Sequence, residues 1–119
     1  MAGIIFIKTK KIEEITKFYK ELGATIWIQQ PDVNILRHGN MLFGFHQHNE
    51  LSKDVLLTFF YPDKHSVNEK YHELQHLAKG PPKEDKKYQI YNFFAKDPEN
   101  RTIEFQYFLD KINFNWNCE

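Results

Sequence analysis

Apolar and polar residues alternate through residues 3–9 (GIIFIKT), with Ile5, Ile7 and Thr9 on one side and Ile4, Phe6 and Lys8 on the other. A period of two with β-branched and aromatic side chains predicts a strand. From residue 11 to 22 the period lengthens: Ile12, Ile15, Phe18, Tyr19 and Leu22 recur at helical spacing, and Gly23 follows where a left-handed residue closes a helix. Residues 24–29 (ATIWIQ) and 33–37 (VNILR) read as two strands separated by the turn residues Pro31 and Asp32. His38-Gly39-Asn40 then reverses the chain into a fourth strand, residues 41–48 (MLFGFHQH). The predicted order is β-α-β-β-β.

The second half predicts the same order. Residues 55–61 (VLLTFFY) have the length and composition of a strand, ended by Pro62-Asp63. Ser66 with Glu69 three residues on reads as a capping box opening a helix to about residue 79, with Val67, Tyr71, Leu74, Leu77 and Ala78 on one stripe and Gly80 after its end. Pro81 and Pro82 restrict the next segment to an edge strand or an extended loop. Residues 88–96 and 101–108 are strands joined by Asp97-Pro98-Glu99-Asn100, with Asn100 suited to a left-handed turn position. A shift of 52 positions carries Ile4 to Leu56, Ile15 to Val67, Tyr19 to Tyr71 and Leu22 to Leu74. After the longer loop a shift of 60 carries Phe43-Gly44-Phe45 to Ile103-Glu104-Phe105. A repeat of this length marks two copies of one supersecondary unit. The expectation is one α+β domain over residues 1–119, with module 1 over about 3–50, module 2 over about 54–109, and a tail at 110–119.

Two stretches resemble the vicinal-oxygen-chelate superfamily of glyoxalases, extradiol dioxygenases, and fosfomycin- and bleomycin-resistance proteins. One is Phe18-Tyr19 followed by Leu22-Gly23. The other is DPENRTIEF at residues 97–105, similar to that family's Asp-Pro-acidic-Gly-Asn-x-Ile-Glu hairpin, with Asn100 in the glycine place and Arg101 in the asparagine place. The resemblance covers about residues 3–109. It implies two βαβββ modules whose curved mixed sheets form an open cleft, and a homodimer. With Glu104 turned into that cleft, Thr102 and Gln106 turn inward too, while Ile103, Phe105 and Tyr107 face the helix. The repeat register adds Leu42, Gly44, His46 and His48, then Ile4, Phe6 and Lys8, then Leu56, Thr58 and Phe60 to the wall.

Metal-dependent members of the superfamily hold a divalent ion with His or Glu on four strands, leaving open positions for a bidentate substrate. Carried onto this chain, those positions fall on Ile4, Gly44, Leu56 and Glu104, of which only Glu104 ligates. No metal and no cofactor is therefore expected at that place. A different set, His46 and His48 with Glu104, offers two imidazoles and a carboxylate. His38, His65, His72 and His76 fall in a turn, a loop and helix positions, and read as surface residues.

Glu104 is the candidate catalytic residue. Desolvated among Phe6, Leu56 and Phe60, it would gain the basicity of a general base; tied to Lys8, Arg101 or a backbone donor, it would be structural. The candidate ligand-binding residues are Phe6, Lys8, Trp27, His46, Leu56, Thr58, Phe60 and Gln106. Trp27 stands opposite Ile26 and Ile28 by strand parity, and lines either the cleft or a subunit contact. Tyr19, Phe43, Phe45, Phe59, Tyr71, Phe93 and Phe105 read as packing under the helices.

Composition narrows the function. Eleven Phe, six Tyr and two Trp bury enough area to stabilise a small domain without staples. Sixteen basic residues balance sixteen acidic ones, so no footprint for nucleic acid or an anionic membrane is present. No apolar run approaches a membrane span, and the first residues carry their charges after the apolar run, unlike a secretory signal. Cys118 is the single cysteine and is read as neither disulfide-forming nor catalytic, in keeping with a cytoplasmic setting. The expected function is a metal-independent small-molecule-binding protein taking a hydrophobic or aromatic ligand. The alternative is a lyase, isomerase or dioxygenase using Glu104 as base or the His46, His48 and Glu104 set. Phe114 and Trp116 in the polar tail are expected to dock on the domain or on a partner subunit.

Overall fold

Each β-α-β-β-β run closes on a sheet of its own. The computed structural model describes residues 1–117, so Cys118 lies outside the described residues. In chain order the elements are β1 (Ile5–Thr9), α1 (Ile12–Glu21), β2 (Thr25–Gln30), β3 (Val33–His38), β4 (Met41–Gln47), β5 (Leu57–Phe60), α2 (Lys64–Glu73), β6 (Lys83–Asp85), β7 (Ile90–Lys96) and β8 (Thr102–Phe108). The sheets run β1-β4-β3-β2 and β5-β8-β7-β6. In each, the first strand pairs in parallel with the last and the other pairs are antiparallel. The class is α+β, with two open four-stranded mixed sheets. The chain divides into two units, Met1–Val55 and Leu56–Trp116.

In the first unit, α1 turns Ile15 and Tyr19 onto the sheet, where both are fully buried. The Tyr19 ring stacks on Phe45 at 5.2 Å and meets Phe43 edge-on at 5.6 Å, an arrangement that suits the ring quadrupoles. The chain leaves α1 through Gly23 at φ +118°, a conformation that L side chains rarely adopt. In the second unit Phe105 stacks between Phe59 and Phe93 at 5.5 and 5.0 Å, and half-buried Tyr71 from α2 meets Phe93 at 5.5 Å. All seven rings assigned to helix-side packing pack there.

Three local features depart from expectation. Asp63, not Ser66, caps α2: its Oδ1 accepts the Ser66 backbone N–H at 2.8 Å. The helix ends at Glu73 rather than near residue 79. Residues 77–79 instead bond to β7, with the Lys79 N–H donating to the Phe94 carbonyl and the Lys96 N–H to the Leu77 carbonyl. Strand β2 carries a bulge between Ile26 and Ile28, so Ile26 pairs with Leu36 and Ile28 with Ile35. An extra residue inverts the alternation, and the strand parity assigned to Trp27 fails for that reason.

The hairpin between β7 and β8 rests on a buried charge cluster. Asp97 Oδ1 accepts the backbone N–H groups of Glu99 and Arg101 at 2.9 and 3.0 Å. The Arg101 guanidinium, 1% exposed, donates to Asp97 Oδ2 at 3.1 Å and to Glu99 Oε1 at 3.0 Å. Asn100 takes φ +67° as expected. Arg101 belongs to the turn and not to β8, so the register becomes Lys96 opposite Thr102 and Phe94 opposite Glu104.

Candidate functional site

Along β8, Ile103 and Phe105 point at α2, so Thr102, Glu104, Gln106 and Phe108 take the opposite face of the second sheet. The hairpin register sets Phe94 beside Glu104, Asn92 beside Gln106 and Ile90 beside Phe108 on that face. Strand β6 and its turn add Asp85 and Tyr88. Together these side chains line a hollow of about 420 Å³. Four are apolar or aromatic (Tyr88, Ile90, Phe94, Phe108), and four carry carboxylates or amides (Asp85, Asn92, Glu104, Gln106).

Glu104, 8% exposed, is held from two sides. Thr58 on β5, its register partner, donates its hydroxyl to Oε1 at 2.8 Å. Asn92 on β7 donates Nδ2 to Oε2 at 2.7 Å. The expected structural partners differ from those observed: Arg101 is engaged with Asp97 and Glu99, and the donors to Glu104 are a hydroxyl and an amide. Both donors are neutral, so the carboxylate is oriented without being neutralised by a cation. Asp85 also lines the hollow, and its Oδ1 accepts the backbone N–H groups of Lys87 and Tyr88 at 2.9 and 3.3 Å. Among the described residues no lysine, arginine or histidine lines the hollow.

The other predicted residues of this unit sit around that centre. Gln106 is in the lining. Leu56, exposed, lies just before β5 and outside the lining. Phe60 faces the same side but is covered by aromatic neighbours: Phe108 at 5.5 Å, and Phe114 and Trp116 of the tail at 4.9 and 5.2 Å. The tail rings thus dock on this unit. Tyr61 turns to the helix side and stacks on Phe105 at 6.5 Å. Its buried hydroxyl has no hydrogen-bond partner among the described residues. Burial, then the negative charge of Glu73, pushes this phenol well above its ordinary value.

In the first unit, Phe6, Lys8, Gly44 and His46 share the face opposite α1, with Phe6 opposite Gly44 and Lys8 opposite His46. The Phe6 ring covers Gly44: its Cδ1 and Cε1 lie 2.6 Å from where a Cβ on residue 44 would stand. His46 and His48 meet edge-on at 5.6 Å. Trp27 sits in the β2 bulge, 48% exposed.

Asp85, Tyr88, Ile90, Asn92, Phe94 and Phe108 join the site without having been expected there. The signal for Asn92 and Phe94 is strand alternation: with Phe93 facing the helix, residues 92 and 94 share the face of Glu104 and Gln106.

No family model matches the chain, and no curated protein matches it. Solved structures do. A glyoxalase/bleomycin resistance protein/dioxygenase from Alicyclobacillus acidocaldarius superposes with a TM-score of 0.74 at 19% identity, covering 92% of each chain. A family enzyme of the same description from Burkholderia phytofirmans gives 0.75 at 22% identity, covering 87% of this chain and 95% of that one. Lactoylglutathione lyase from Agrobacterium tumefaciens gives 0.70 at 13% identity, over 90% and 92%. The chain has the fold of these glyoxalase/bleomycin resistance protein/dioxygenase structures.

Within this fold the four positions that the resemblance assigns to metal ligands can be tested one unit at a time. In the first unit they are Ile4 and Gly44, an aliphatic side chain and a glycine whose side-chain space holds the Phe6 ring. In the second they are Leu56, an aliphatic side chain, and Glu104, which leaves a single carboxylate among the four positions. These residues do not fit a divalent ion. Among the described residues no group of three or more His, Cys, Asp or Glu side chains is placed to hold one. No helix among them is long and apolar enough to cross a membrane.

Proposed function

We propose that this protein binds a small hydrophobic or aromatic molecule without a metal ion, in the hollow on the second sheet. The observation that carries the reading is Glu104 fixed by Thr58 and Asn92 within a lining that sets Tyr88, Ile90, Phe94 and Phe108 beside the polar Asp85 and Gln106. Rings supply area at low entropic cost, and a few oriented polar atoms set the pose. A volume of about 420 Å³ lies within the range of small-molecule sites.

The reading is tested with neutral bicyclic aromatics, followed by Trp fluorescence of the Trp27→Phe protein. Trp116 is then the single reporter, and it rests on Phe60, which touches Phe108 of the lining. Saturable quenching with a rise in Tm supports binding; an unchanged signal across the series rejects it. Turnover by Glu104 as a general base is the second reading, favoured by the presence of its carboxylate in the lining. It would show as exchange of an acidic C–H proton of a bound carbonyl compound, lost in Glu104→Gln.

Assembly as a homodimer is part of the same proposal. Its support is the edge strand β2, exposed along all six residues and free of charge, with Ile26, Trp27 and Ile28 among its exposed side chains. The equivalent edge strand of the second sheet, β6, carries Lys83, Glu84 and Asp85, the usual guard against pairing. Sedimentation of Trp27→Lys tests it: a monomer in place of a wild-type dimer is expected, and a wild-type monomer rejects it.

A further inference from the structure

The hollow is rich in hydrogen-bond acceptors and lacks a cation. A carboxylate offers about four lone-pair sites. Thr58 and Asn92 occupy one on each oxygen of Glu104, which leaves each oxygen able to accept once more. Asp85 adds a second carboxylate, whose Oδ2 accepts no hydrogen bond among the described residues, and Asn92 adds an amide oxygen. Lys96 donates to Thr102 at 2.8 Å, and Lys87 lies over the Tyr88 ring at 5.2 Å; neither lines the hollow. A ligand that presented its own carboxylate or phosphate here would meet two like charges with no counterion, whereas a donor would meet unsatisfied acceptors.

We propose that the hollow selects a flat aromatic molecule whose edge carries two adjacent N–H donors, such as an amidine or an aminopyridine-type heterocycle. The paired N–H groups take the two remaining acceptor sites of Glu104, and the ring lies among Ile90, Phe94 and Phe108. Paired donors on a carboxylate form the two-pronged charge-assisted arrangement, stronger than single neutral bonds. The strands behind Glu104 fix its two oxygens in advance, so little ordering remains to be done on binding. This inference rests on the binding reading above and names its ligand class.

The test uses full-length isotope-labelled protein and three probes of one shape: 2-naphthamidine, 2-naphthamide and 2-naphthoate. The amidine is expected to bind on the order of tenfold tighter than the amide, and the naphthoate weakest. Binding should shift the Asn92 side-chain amide together with the Ile90, Phe94 and Phe108 signals. In Glu104→Gln the amidine advantage should fall to within about twofold, with amide binding retained. Naphthoate binding as tight as the amidine, with the same ring residues shifted, would overturn the donor-edge proposal while leaving the binding reading intact. Silence of all three probes at those residues would overturn both. Should Glu104→Gln fail to fold, the ranking on the wild-type protein decides the question by itself.

Discussion

Phe6 and Gly44 are register partners, and the Phe6 ring fills the space that a side chain at position 44 would enter, 2.6 Å from its Cβ. At the equivalent place in the second unit, Thr58 and Glu104 are register partners joined by a 2.8 Å hydrogen bond. One unit has put an aromatic ring where the other keeps an oriented carboxylate. Gly44→Ala should therefore cost about 1 kcal/mol, because the added methyl must displace the ring. Phe6→Ala with Gly44→Ala should cost less than the sum of the two, since neighbours that share a space do not add. Urea denaturation of the four proteins measures this; additivity would mean that the ring moves aside freely.

Loss of either donor to Glu104 leaves a buried oxygen short of a partner. Thr58→Val and Asn92→Ala should each destabilise by about 1–3 kcal/mol. The effects should be smaller when each is made in Glu104→Leu, where no carboxylate needs the donor. A double-mutant cycle with no coupling would contradict the hydrogen-bonded arrangement.

Arg101 is the largest fully buried side chain, and two carboxylates depend on it. Arg101→Met should cost about 3–5 kcal/mol, because it strands Asp97 and Glu99 away from water without a cation. The urea midpoint should fall accordingly, and a change below 1 kcal/mol would show that the cluster is solvated.

The cap of α2 separates two residues three positions apart. Asp63→Ala should cost about 1 kcal/mol and Ser66→Ala clearly less. The Ser66 backbone N–H, then its hydroxyl, hold Asp63 below the usual carboxylate range. A lowered folded value means that the stabilisation is fully present above the ordinary carboxylate range and is lost as pH falls through the lowered value. The gap between wild type and Asp63→Ala should therefore be flat around neutrality and close on acidification. A gap that widened in acid would contradict the cap.

Much of this was legible from residue order because periodicity and repetition both derive from burial. Tyr19, Phe43 and Phe45, and their counterparts Tyr71, Ile103 and Phe105, face the helices as their spacing predicts. The shifts of 52 and 60 that carry Phe6 to Thr58 and Gly44 to Glu104 reappear as equivalent register pairs, Phe6 with Gly44 and Thr58 with Glu104. What escaped was register. Arg101 looks like a strand residue until its guanidinium is seen to be tied to Asp97 and Glu99. Asn92 and Phe94 share the face of Glu104 by alternation with Phe93, and the start of β8 at Thr102 sets which residue of β8 each stands beside. The β2 bulge is similar: nothing in ATIWIQ announces an extra residue, yet it changes which way Ile26 faces. The α2 cap was misplaced because Asp63 and Ser66 are both good capping residues, and three-dimensional geometry chose between them.

The central claim is that the second sheet holds its ligand without a cation. It is tested most directly by titrating the isotope-labelled protein with 2-naphthamide in the presence of excess EDTA and following the side-chain amides of Asn92 and Gln106. Saturable shifts of both, unchanged when zinc or manganese replaces EDTA, are predicted. Shifts that appear only after a divalent ion is added would contradict the account.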